Sequence, residues 1–120
     1  MPWGAYDTSG HLRIGTFDRS ADAANHLYNY SLATETGAGT LAFDVHPVST
    51  VASNPTSGDR WFARNVNAAF PFATAFFGDY SSIAATADGG VVAYWTDMRN
   101  LSTFAGRTGF GEDAYFAKSS

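Results

Sequence analysis

Two pairings of an acid with an arginine carry the first chemistry in this 120-residue chain: Asp18-Arg19 and Asp97-Met98-Arg99. A guanidinium offers a planar fork of donors and the carboxylate beside it offers acceptors. Together the two pairs could form a polar rim that binds a sugar. The architectural alternative is an ion pair or Asx turn that finishes a strand. Their recurrence at matching points of the chain favours architecture, and Asp113 could cap its strand in the same way. Trp3, Trp61 and Trp95 have flat faces that could stack on sugar rings. Trp61 lies in the polar 52–64 stretch and is the best candidate for an exposed aromatic. Trp95 lies in the run YWTD and reads as a packing residue.

Other chemistries are excluded by residue type and spacing. His11, His26 and His46 are far apart in sequence and there is no cysteine, so no transition-metal ligand set is expected. Calcium could sit in the loops 19–26 or 109–113, although no EF-hand spacing exists. The segment 106–111, GRTGFG, lacks the Gly-Lys-Ser/Thr ending of a phosphate loop and reads as a hairpin tip. No Gly-x-Ser-x-Gly elbow is present. No cofactor is expected. Net charge is −4 with a single lysine, Lys118, which argues against nucleic acid and against an anionic membrane. No apolar run is long enough to span a bilayer. The first residues do not read as a signal peptide, so a leader, if the protein uses one, is expected upstream. Asn29-Tyr30-Ser31 and Asn100-Leu101-Ser102 fit the glycosylation sequon and carry little weight without a leader.

The elements that must position these groups are strands. The chain is 45% hydrophobic and 16% aromatic, with Gly, Ser and Thr between the aromatics. That composition suits pleated sheet with tight turns. Strands are expected at 3–7, 12–18, 27–33 and, more weakly, 43–50, where Pro47 marks an edge. Four strands joined by short turns make one meander of propeller-blade size. A second unit is expected from strands at 80–86, 91–97 and 113–117, with a turn at Asp88-Gly89-Gly90 and a loop at 100–112. GTFDR at 15–19 answers YWTDMR at 94–99, and LYNYSLA at 27–33 answers EDAYFAK at 112–118. The separation of Asp18 from Asp97 exceeds the roughly 40–50 residues of one blade. The surplus falls in 52–78, which reads as a long connection.

The block FGDYSSIAATADGGVVAYWTDMR at 77–99 resembles the last blade of bacterial sialidase and BNR-repeat (Asp-box) propellers. In those families a Tyr-Ser pair opens a strand, an Asp-Gly turn follows, and the next strand ends near an acid. Residues 3–50 resemble the preceding blade, with LATETGAGTLAF at 32–43 in the place of an Asp-box whose Asp is absent. The resemblance implies an all-β chain. It also implies a partial β-propeller of about two antiparallel four-stranded blades, the first at 1–51 and an incomplete one at 79–120.

The resemblance also implies a site. Tyr80 matches the sialidase nucleophile, a phenol that avoids the like-charge repulsion a carboxylate would meet at the substrate's own carboxylate. Arg99, Arg19, Asp79, Asp97, Asp18 and Trp61 are the candidates for substrate contact. Glu35 and Glu112 are the acids available to partner the tyrosine. The Arg-Ile-Pro segment and the acid/base Asp of the family are missing. The expectation is therefore a fragment of an exo-α-sialidase-type glycoside hydrolase that cannot turn over substrate alone. In that fragment Tyr80 and Arg99 contribute to a site completed by missing blades; the structural reading of Tyr80 is instead an inner-strand aromatic packed near the propeller axis. The alternative is a non-catalytic propeller module that binds glycan or protein. Full-length relatives of either kind are expected to be secreted or on the cell surface. Only 15% of residues are charged, and two blades leave apolar faces uncovered. Missing blades or further copies of the chain are expected to cover them.

Overall fold

The computed structural model describes residues 2–54 and 80–120. Within them the chain is all-β and antiparallel, and no residue is helical. Strands β1 (Trp3–Tyr6), β2 (Leu12–Asp18), β3 (Asn29–Glu35) and β4 (Phe43–Pro47) form one sheet in sequence order. Strands β5 (Ser82–Ala85), β6 (Val91–Asp97) and β9 (Asp113–Ser119) form a second sheet. Between β6 and β9 the hairpin β7 (Leu101–Phe104) and β8 (Arg107–Phe110) makes a separate two-stranded ladder. Neither sheet closes on itself.

The expected strands 12–18 and 91–97 match β2 and β6 residue for residue. In both, an alternating run ends on an aspartate whose side chain competes for the backbone beyond it. The third strand differs, because it begins at Asn29 rather than at residue 27. Asp22 accepts the amides of His26 and Leu27, both at 2.7 Å, and holds that stretch as a turn. The expected loop at 100–112 contains the β7–β8 hairpin. Its two-residue turn, Ala105-Gly106, has φ of 49° and 74°. Positive φ at both positions is the type I′ geometry that matches strand twist.

The first turn is built by Asp7. Its buried carboxylate accepts the Ser9 amide at 2.9 Å and the His11 amide at 3.0 Å. Arg13 reaches the same carboxylate through Nε at 2.9 Å and Nη2 at 2.8 Å. Burial opposes ionisation of Asp7. The Arg13 hydrogen bond, the two amides and the Arg13 charge outweigh it and take the pKa from the usual 3.8 to about 2. A depressed acid stabilises the fold above its unfolded-state pKa, and that stabilisation fades as pH falls through the folded value. The melting temperature should therefore drop as pH is lowered from about 4 to about 2. Asp7→Asn should melt lower at neutral pH, with Arg13 left unpaired, and should lose much of that acid limb. Melting curves of both proteins across this pH range check it.

The two sheets pack face to face. Side chains alternate along a strand, and directly paired residues share a face. One face of the first sheet, its front, carries Ala5, Gly15, Phe17, Tyr30 and Leu32. It meets Ile83, Ala93, Trp95, Tyr115 and Ala117 of the second sheet. Tyr30 stacks on Trp95 with ring centres 5.3 Å apart and planes 4° from parallel. Phe17 sets its ring edge-to-face against Tyr30 at 5.1 Å. Gly15 leaves the space that Ile83 and the Tyr30 hydroxyl occupy.

Register shows how the two sheets correspond. Asp18 pairs with Asn29, and Asp97 pairs with Asp113. Hence Asn29 answers Asp113, and Tyr30 answers Ala114. The sequence alignment of LYNYSLA with EDAYFAK is out by one residue, which would put every side chain of the strand on the wrong face. With the register corrected, Ile83, Ala93 and Trp95 answer Gly4, Ile14 and Thr16, which lie on the back of the first sheet. The front of one sheet therefore stacks on the back of the next.

Candidate functional site

The end of β6 gathers more of the candidate residues than any other described place. Asp97 is 1% exposed. Its carboxylate accepts the Trp95 indole N–H at 3.0 Å and the Arg99 amide at 3.0 Å. Arg99 grips it through Nε at 2.8 Å and Nη2 at 2.7 Å, a two-point fork. The remaining Arg99 nitrogen, Nη1, donates to Thr50 Oγ1 at 2.8 Å, and the guanidinium lies 4.3 Å over the Tyr115 ring. Burial pushes the Asp97 pKa up, but the hydrogen bonds and charge of Arg99 and the Trp95 N–H bring it below the usual value. The hydrogen bond from Asp97 raises the Arg99 pKa in turn.

This cluster ties the sheets together. Residues 48–53, after β4, fold back across the sheet end. The amides of Val48 and Ser49 donate to the Tyr30 carbonyl, and Ser53 forms a bridge with Tyr28. Ser53 Oγ also accepts the Met98 amide at 3.1 Å. Arg99 reaching Thr50 is a second link across the same seam. The architectural reading of Asp97-Arg99 is the one its contacts favour: each guanidinium nitrogen is already engaged.

Asp18-Arg19 differs from its counterpart, because no ion pair forms between the two. Asp18 accepts the Ser20 amide at 2.7 Å and the Ser20 hydroxyl, an Asx turn. Arg19 donates to the Asn25 carbonyl at 3.2 Å. Asp113 accepts Asn100 Nδ2 at 3.0 Å, across the base of the β7–β8 hairpin.

Tyr80 lies two residues before β5 and is 73% exposed. The expectation of an axial, packed aromatic is not met. Among the described residues the buried aromatics are Tyr28, Tyr30 and Trp95, and Trp95 is a core residue as expected. Trp61, Asp79 and nearly all of the 52–78 connection lie outside the described residues. Glu35, a candidate partner for the tyrosine, accepts the Leu12 amide at 2.9 Å and the Leu41 amide at 2.8 Å. Those amides hold its pKa below the usual value. Glu35 thereby organises the β3–β4 turn, where Gly39 and Leu41 adopt φ of 76° and 55°.

A cleft of about 140 Å³ opens beside Arg99, lined by Val51, Ala52, Asn54, Met98 and Phe110. Small-molecule sites usually enclose about 300–1,000 Å³, so the cleft is small for a sugar. Among the described residues, no group of three or more His, Asp or Glu stands close enough to hold a metal ion. No model of a known family, no curated protein and no solved structure matches the chain.

Sequence reasoning missed three structural residues: Asp7, Glu35 in its turn role, and Thr50. Asp7-Thr-Ser-Gly10 was a readable turn signal. The contact of Glu35 with Leu12 and that of Thr50 with Arg99 join residues far apart in the chain and leave no local pattern.

Proposed function

We propose that the chain is a non-catalytic binding module made of two sialidase-like propeller blades, and that its partner is a protein surface. One observation carries this reading. The arginine that the resemblance assigns to substrate, Arg99, is fully engaged by Asp97, Thr50 and Tyr115. A guanidinium held in a buried two-point pair has no free fork for a substrate carboxylate. Arg13 is held in the same manner by Asp7. The front-to-back stacking of two similar sheets supports the propeller part of the proposal, since blades stack in this sense around an axis.

The second reading is a sialidase-type hydrolase completed by blades that these residues do not supply. The exposure of Tyr80 favours it, because an accessible phenol is what a nucleophile requires. A fluorogenic sialoside tests the module reading directly, because a binding module leaves it uncleaved. The wild-type chain and Tyr80→Phe should both leave it uncleaved. Turnover by the wild type that Tyr80→Phe abolishes would replace the module reading with the hydrolase one.

A further inference from the structure

The turn that joins β5 to β6 holds the one aspartate of the chain that is followed by glycine, Asp88-Gly89. Such a pair is chemically fragile, because glycine has no side chain to shield its amide nitrogen. That nitrogen can attack the carboxyl carbon of the aspartate. The acid oxygen then leaves as water with the amide proton, and a succinimide ring closes. Water returns and opens the ring on either side. Opening at the main-chain carbonyl routes the backbone through Cγ and leaves isoaspartate, an isomer with no change in mass.

In the folded chain both reacting groups are engaged. The Gly89 amide donates to the Thr86 carbonyl at 3.1 Å, and the Thr86 amide donates to the Gly90 carbonyl at 2.8 Å. The Asp88 carboxylate accepts the Thr86 hydroxyl through Oδ1 at 2.5 Å and pairs through Oδ2 with Lys118, the single lysine of the chain. Ring closure needs the neutral acid, because a carboxylate has no oxygen that leaves. It also needs the side chain to swing onto the Gly89 nitrogen. The hydrogen bonds from Lys118 and Thr86 oppose both, and they take the pKa of Asp88 from the usual 3.8 to about 2. Both side chains of the ion pair are more than half exposed, so the pair adds little to fold stability. Its effect falls on this carboxyl. The β1–β2 turn closes through equivalent hydrogen bonds with Ser9-Gly10 in the matching place, so the turn geometry does not itself require the aspartate. Isoaspartate would lengthen the main chain by a methylene. A Cβ on Gly90 would fall 2.4 Å from the Ser119 carbonyl oxygen, so the backbone there lies hard against β9. A longer path through the turn therefore strains the Val91–Ser119 pair.

We propose that Asp88-Gly89 is the site at which this protein isomerises to isoaspartate, and that Lys118 and Thr86 clamp the site shut in the folded chain. This goes beyond the module reading and does not depend on it.

The test follows isoaspartate by peptide mapping during prolonged incubation at neutral pH. Wild type unfolded in urea should accumulate it at Asp88 ahead of the other aspartates, and folded wild type should accumulate far less. Lys118→Ala should raise the rate in the folded chain about tenfold, the change in acid form that one pKa unit brings. Thr86→Val, which removes the hydroxyl, should raise it as well. Lys118→Arg keeps the ion pair and should stay at the wild-type rate. Asp44, exposed on β4, is the internal control. Release of the clamp raises isoaspartate at Asp88 alone, whereas a variant that only loosens the chain raises it at Asp44 too. A wild-type rate in Lys118→Ala, or a rise shared with Asp44, would overturn the clamp. Isoaspartate appearing first at another aspartate of the unfolded chain would overturn the site.

Discussion

Trp95→Ala should lower the unfolding free energy by about 3–5 kcal/mol, the range for deleting a buried large aromatic. The indole is 2% exposed and fills the space between the two sheets. Three contacts are lost together. The stack on Tyr30 joins the sheets, the tilted contact with Tyr115 joins β6 to β9, and the N–H satisfies one oxygen of buried Asp97. Stacked aromatic pairs contribute about 0.5–1.5 kcal/mol beyond their area. For a chain of this size, the melting temperature should fall by roughly 10–20 °C. Trp95→Phe separates the causes, since it keeps a ring against Tyr30 and removes the N–H. It should fall between wild type and alanine, with a hydrogen bond to a charged group accounting for about 1.5–3 kcal/mol of the loss. Urea unfolding of the three proteins measures both steps. An alanine variant within about 0.5 kcal/mol of wild type, the usual range for surface positions, would mean that the sheets do not depend on this contact.

How much of this was legible in the sequence depended on the range of the interaction. The ends of β2 and β6 were readable because alternation and its terminating aspartate lie within seven residues. The Thr86–Gly90 turn was readable because Asp88-Gly89-Gly90 supplies a residue that tolerates positive φ, here 89° at Gly89. The β7–β8 hairpin was half readable: Gly106 signalled a tip, but Ala105 is an unusual occupant of a left-handed position and hid the two-residue turn. Register was not legible. Tyr30 and Tyr115 look equivalent by type, yet the ladder makes Ala114 the counterpart of Tyr30. An aromatic match across two halves carries less information than the aspartates that pin the strand ends. The candidate site was legible only as an inventory. Asp97 and Arg99 were identified as a pair by spacing. That Arg99 reaches Thr50, in the segment after β4, depends on a contact 49 positions away in the chain.

The correct register also yields the second large effect. Gly15→Ala should destabilise the chain by about 1–3 kcal/mol, the usual cost of overpacking. A Cβ there would fall 2.2 Å from the Tyr30 hydroxyl oxygen and 2.7 Å from Ile83 Cγ2, both far inside van der Waals contact. Tyr30 is held by its stack on Trp95 and by the edge of Phe17, so it cannot retreat without opening the sheet interface. Tyr30→Phe removes the oxygen that would clash. Alone it should cost little, because that buried oxygen has no hydrogen-bond partner of ordinary geometry to lose. Combined with Gly15→Ala it should cost less than the sum of the two, with a coupling of about 0.5–3 kcal/mol expected for residues in contact. Unfolding free energies of wild type, both single variants and the double variant close the cycle. Strict additivity would mean that the hollow at Gly15 yields elsewhere, through Ile83 or the backbone of β5. The sheet interface would then be looser than its stacked rings imply. Gly15 is required where the sheet front is covered by Ile83 and Tyr30, whereas its counterpart Tyr94 is 48% exposed and meets no such limit on size.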